Sequence, residues 1–216
     1  ILLGAMLLDG GFYERVVAAA VSHHYTAERQ FRFPSEQGIQ TAPSAQWTAT
    51  AAGAVVLGTL GSGPKVTSAT IGKVIDMAQN DIADMGSAMA PAAVDTIKAH
   101  FYDLDIPVDY YDLVVTGDLG KVGMAIASEL FIKHGVVPKN YSDCGVQIFH
   151  ESQGVDSGGS GCGCCASGLC GPLLNKMQKG EINKLLVVAT GALMSPITSF
   201  QGETIPGVAH AVAIEN

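Results

Sequence analysis

The stretch Gly158-Gly159-Ser160-Gly161-Cys162-Gly163-Cys164-Cys165 decides how this chain is read. Glycines admit positive φ and let backbone approach closely, so the stretch predicts a tight loop. The residues after it predict a helix over about 164–179, and 184–190 then read as a strand. A helix that starts directly after such a loop points N–H groups at it. That arrangement suits an anion and equally an oxyanion hole. A plain tight turn, with the cysteines as small apolar packers, competes with both.

Four of the five cysteines fall within 162–170. Neighbours such as Cys164 and Cys165 cannot staple distant segments, so the pattern is a poor disulfide framework and points to a reducing compartment. Structural zinc prefers separated pairs with two to four residues between ligands. The spacing here lacks that form. A cysteine nucleophile is open, because a helix N-terminus depresses a thiol pKa, but no histidine lies nearby in sequence.

Outward from the loop, strands and helices alternate. Residues 1–8 read as a helix stopped at Asp9-Gly10-Gly11, and 15–21 and 51–57 as buried strands. Residues 22–46 form a long polar loop, and 65–75 a β-branched strand. A helix over 84–101 with Pro91 near its start is followed by a strand at 111–116. A tight loop at 117–120 and a helix over 122–134 closed by Gly135 come next. Short strands are predicted at 146–150 and 208–214. This alternation argues for a layered α/β fold.

The composition permits a large core: 48% of residues are apolar and 15% charged. The net charge is −8, with no basic stripe, which argues against a nucleic-acid partner. The longest apolar runs fall short of the roughly 20 residues that a spanning helix needs. Ile1 opens an apolar helix with no N-cap before it, so an upstream section is expected.

The order of strand, glycine-rich loop, helix and strand ending at Gly191-Ala192 resembles the second half of the thiolase and ketoacyl synthase superfamily. Ser160 falls where those enzymes carry a catalytic His or Asn. Asp112-Leu113-Val114-Val115-Thr116-Gly117-Asp118 resembles their strand ending in Pro-His-Gln, with Gly117 at the His position. Neither replacement handles protons as imidazole does. One branch matches more closely. Ala27-Glu28-Arg29-Gln30-Phe31-Arg32-Phe33-Pro34, Asp84-Met85-Gly86-Ser87-Ala88-Met89-Ala90-Pro91, Thr116-Gly117-Asp118-Leu119, Gly158-Gly159-Ser160-Gly161-Cys162 and Glu203-Thr204-Ile205-Pro206 resemble the stage V sporulation protein AD family, over essentially the whole chain.

The resemblance implies an N-terminally incomplete thiolase-like fold in α-β-α-β-α layers. Residues 1–80 would be the remainder of the first half and 81–216 the second. The elbow cysteine of the superfamily would lie upstream of Ile1. It also implies a binding protein and no enzyme. The ligand would be dipicolinic acid, alone or as its calcium salt, taken up into the forespore. Other stage V membrane proteins would be partners, and the location would be peripheral at the forespore or spore inner membrane. A homodimer paired through sheet edges is implied, with no resident cofactor. An active acyltransferase or condensing enzyme is the alternative. So is a structural subunit without ligand.

A flat dicarboxylate needs charged donors, amides and an apolar wall. Ser160, Gly161, Cys162, Gly117 and Asp118 are the expected lining. Arg29 and Arg32 offer forked cations, or merely anchor the long loop. Asp84 and Asp118 offer oxygens to calcium, or cap helices. His23 is either a ligand contact or a satisfied core histidine.

Overall fold

The structure is a computed structural model that describes residues 1–31 and 42–216, the side chains of 28–31 excepted. In chain order it forms α1 (Leu2–Asp9), β1 (Arg15–Ser22), α2 (His24–Phe31), β2 (Trp47–Thr48), β3 (Ala51–Gly58) and β4 (Lys65–Ile71). There follow α3 (Met85–Asp103), β5 (Leu113–Thr116), α4 (Gly120–His134), β6 (Tyr141–Asp143), α5 (Cys144–Gln147) and β7 (Gly159–Ser160). The last elements are α6 (Cys162–Gly168), α7 (Leu174–Gln178), β8 (Lys184–Ala192), α8 (Pro196–Phe200) and β9 (Gly207–Glu215). A π-helical stretch, Leu169–Leu173, joins α6 to α7 around Pro172. Proline has no N–H to continue the ladder, and a wider turn absorbs that loss.

A five-stranded sheet in the order β4-β9-β8-β5-β6 is the frame. β8 pairs parallel with β5 and β5 parallel with β6, whereas β9 runs antiparallel to both β8 and β4. Alternation along β8 and β9 sends side chains to two cores. Leu186, Val188, Ala209, Ala211 and Ala213 meet α3 and α4, through Ala93, Ile97, Phe101 and Phe131. Leu185, Val187, Val212 and Ile214 meet the other layer, with Cys164, Leu169 and Leu173. That middle layer holds α1 and α6, and β1 and β3 form an antiparallel ribbon beyond it. The layers thus run α, β, α, β, which are four of the five expected. β4 precedes residue 80 and yet pairs with β9, so the larger sheet draws on both sides of that expected division.

Several local expectations are corrected. β1 and β3 are not buried: Val17, Val21 and Val56 are 68%, 68% and 70% exposed on their outer face. An apolar run fixes strand type but not what covers each face. Of the residues expected as a strand at 146–150, the first two lie in α5 and the others follow it, and the strand lies earlier, at β6. Asp143 stops β6 and caps α5, accepting from Val146 N–H at 3.2 Å. The loop expected from residue 22 begins with helix α2. The helix expected from Cys164 starts at Cys162, and Gly159–Ser160 forms a short parallel bridge to β2.

A buried polar chain links α3 to the sheet. The two ring nitrogens of His100 reach Thr70 Oγ1 (2.8 Å) and Tyr111 OH (2.7 Å). Burial lowers the His100 pKa to about 4 from the usual 6.5. The folded state therefore resists protonation, and stability is lost as pH falls from 6.5 towards 4. That window is worth roughly 3 kcal/mol at most. Urea unfolding should show wild type losing about this much more stability than His100→Gln over the same interval. Parallel profiles of the two proteins would contradict this.

Candidate functional site

Gly161 has φ of +100°, a backbone that side chains rarely adopt. This turns its N–H away from α6 and onto Asp118, which follows β5. Gly161 N–H donates to Asp118 Oδ2 at 2.8 Å, and Thr190 Oγ1 at the end of β8 donates to Oδ1 at 2.7 Å. Thr190 also accepts from Asp118 N–H at 3.2 Å, while Gln46 Nε2 donates to Asp118 O at 2.6 Å. Asp118 thus knots together the ends of β5 and β8 and the glycine-rich loop. Burial raises its pKa to about 6 against the pull of these donors.

This geometry corrects the reading of the loop as an open anion cradle. The Gly161 amide already holds an anion, the carboxylate of Asp118. The Gly163 amide donates to Ser22 Oγ at 3.1 Å, and that hydroxyl donates to Ala49 O at 2.6 Å.

Beside Asp118 lies a cavity of about 590 Å³ between the two sheets. Its apolar walls come from α1, β1, β3, α6, β8 and β9. Its polar end joins Asp118, Gly161, Cys162, Thr190 and His210. The volume falls within the usual range for small-molecule sites, roughly 300–1,000 Å³. His210 accepts from Gly72 N–H through Nδ1 at 3.1 Å, which leaves Nε2 to carry the ring proton.

Of the expected residues, Asp118, Gly161 and Cys162 come together on the cavity. Gly117 packs behind them: a Cβ there would meet Thr190 Oγ1 at 3.0 Å and Cys165 Cβ at 3.4 Å. Ser160 is buried outside the lining, its Oγ without a hydrogen-bond partner. Asp84 caps α3, taking Ser87 N–H on Oδ1 (3.1 Å) and Ser87 Oγ–H on Oδ2 (2.6 Å), and does not line the cavity. Its oxygens and those of Asp118 serve separate donors, so the structure does not assemble them as one calcium site. His23 is exposed and is no core histidine; its neighbour His24 instead stacks on Trp47 with ring centroids 5.1 Å apart. The Arg29 side chain and the whole of Arg32 lie outside the described residues. Among the described residues, no group of three or more His, Cys, Asp or Glu is placed to hold a metal. No helix among them is long and apolar enough to cross a membrane.

Sequence reasoning missed Thr190, Gln46 and His210. Thr190 and Gln46 each lie 72 residues from Asp118 and carry no local signal. His210 alternates with apolar Val208 and Val212 on one face of β9, and that period was the available clue.

Comparison with known proteins extends this description. A family model described as "Stage V sporulation protein AD (SpoVAD)" matches residues 1–215. The chain is 47% identical over 214 residues to the Stage V sporulation protein AD of Bacillus subtilis (strain 168), covering 99% of this chain and 63% of that relative. Among solved structures, the tetronic acid condensing enzyme AbyA1 aligns over 100% of this chain and 64% of its own, with TM-score 0.58 at 13% identity. The 3-oxoacyl-(acyl carrier protein) synthase III FabH of Pseudomonas aeruginosa PAO1 aligns over 99% and 64%, with TM-score 0.56 at 11% identity. At such identities these likenesses concern the fold, which is thiolase-like. Family model and curated relative agree over nearly every residue, and the chain belongs to the stage V sporulation protein AD family.

Proposed function

We propose that this chain is the binding part of a catalytically degenerate thiolase fold, and that its ligand is dipicolinic acid, taken as the calcium complex. The observation that carries the reading is the cavity closed at one end by Asp118. Apolar walls accept a flat ring. A carboxylate repels a free dicarboxylate dianion but completes the oxygen shell of a calcium ion that the ligand already chelates. Gly117 and Ser160, in place of proton-handling side chains, support binding over turnover. Uptake of dipicolinate into the forespore of a sporulating cell is the corresponding role. Attachment at the membrane would come through other stage V sporulation proteins, and a homodimer through sheet edges fits the exposed β1–β3 ribbon.

Calorimetry on Asp118→Asn tests this. The amide oxygen keeps an acceptor for Gly161, and the amide nitrogen donates to Thr190 Oγ1 in place of accepting from it, while the charge is removed. Calcium dipicolinate should bind about tenfold more weakly or worse, which is ~1.4 kcal/mol. In wild type, free dipicolinate should bind more tightly as pH falls through about 6, because protonation of Asp118 removes the repelling charge. That pH dependence should vanish in the variant. Equal affinities for both ligands in both proteins would remove the proposal.

A further inference from the structure

Two cysteines stand at Cys-x-x-Cys spacing where α6 begins. Cys162 is its first residue and is exposed, and Cys165, three positions on, is half-buried. Both line the cavity, so both present to the same space. Helical geometry sets the Cα atoms of residues i and i+3 ~5 Å apart, inside the disulfide window of about 4.4–6.8 Å. Cys162 Sγ donates to Val21 O at 3.0 Å, a bond that closure of a disulfide would release.

Cys170 lines the same cavity but lies about two helical turns along the chain from Cys162, and the two buried thiols are placed less well. Cys164 is buried, its Sγ 3.9 Å from Gly117 O. Cys144 is buried against Gly168 and hydrogen-bonded to Cys165. That bond and burial push its thiol far above the ordinary range, which suppresses the thiolate. Cys144 therefore positions Cys165 without rivalling Cys162.

From this spacing and shared exposure we infer that Cys162 and Cys165 form a redox-active dithiol whose substrates are low-molecular-weight disulfides. Cys162 loses its proton to solvent, and its thiolate attacks one sulfur of the small disulfide. The old S–S bond breaks, one small thiolate leaves and takes up a proton, and a mixed disulfide remains on Cys162. Cys165 then loses its proton and attacks Cys162 Sγ, closing the protein disulfide and expelling the second small thiol. Two protein thiols are oxidised and one small disulfide is reduced to two thiols, with no other oxidant.

Purified full-length protein treated with oxidised glutathione tests the inference. Intact mass should show loss of two hydrogens without retained glutathione. No Lys or Arg interrupts 140–175, so one tryptic peptide carries all five cysteines. The pair is therefore located by blocking free thiols, reducing, tagging with a second reagent and fragmenting the peptide. Tags on Cys162 and Cys165 are expected. Cys165→Ser should halt at the mixed disulfide, retaining roughly tenfold more glutathione than wild type. A pair mapped to Cys144 and Cys165, or wild type that keeps glutathione on Cys162 without closing, would overturn the inference. Wild-type mapping decides the matter even where a variant folds poorly.

Discussion

Asp143→Ala is expected to lower stability by about 4 kcal/mol and the melting midpoint by ~10 °C or more. The carboxylate is fully buried and takes four donors. Thr116 Oγ1–H (2.7 Å) and Leu119 N–H (2.9 Å) reach Oδ2, and Gly120 N–H (3.0 Å) and Val146 N–H (3.2 Å) reach Oδ1. These donors belong to the end of β5, the entry to α4 and the first turn of α5. Truncation leaves the three N–H donors without that acceptor away from water, while Thr116 Oγ1 still reaches Ser142 O at 3.3 Å, and a buried orphan donor costs roughly 1–3 kcal/mol. Asp143→Asn keeps one acceptor oxygen and should fall between wild type and alanine. Thermal unfolding of the three proteins checks the order. An alanine variant within 1 kcal/mol (roughly) of wild type would mean that water replaces the carboxylate.

Gly163→Ala is expected to destabilise by about 3 kcal/mol, opposite in sign to the usual effect of that change in a helix. An exposed helical glycine gains roughly 1 kcal/mol on conversion to alanine. Here a Cβ would collide with the Ala51 carbonyl and with Ser22, at the join of β1 and β3. Neither is the far end of a flexible chain, so the helix itself must lift. Gly53 makes the reciprocal approach, its Cα facing the Ala166 carbonyl of α6. Gly171 is the control: nothing lies within 4 Å of a Cβ there. Chemical denaturation of Gly163→Ala and Gly171→Ala should give clearly different midpoints. Equal midpoints would show that the α6–ribbon contact adjusts freely.

Much of the layering was legible because its signals are local. Gly135 closes α4 in the left-handed conformation, with φ of +66°. Asp84 caps α3 as its place before the helix suggests. The strand runs of β5, β8 and β9 were long and apolar enough to read. The site was legible only in part. Asp118 and Gly161 were singled out separately, yet their bond spans 43 residues and depends on a positive φ that the sequence allows without requiring. The resemblance places Ser160 by position alone, and backbone pairing with β2 buries it instead. Val146 and Ile148 have β-branched side chains and read as strand, until Asp143 supplies a cap that makes the helix cheaper.

The bond from Gly161 to Asp118 also bears on how fast a ligand is captured. A glycine-rich loop that waits for its anion samples many conformations, and each arriving ligand must bear the entropy of ordering it. Here a tethered carboxylate occupies the loop permanently, like a key left in its own lock. The ordering of the loop is done once, during folding, and no ligand has to bear it.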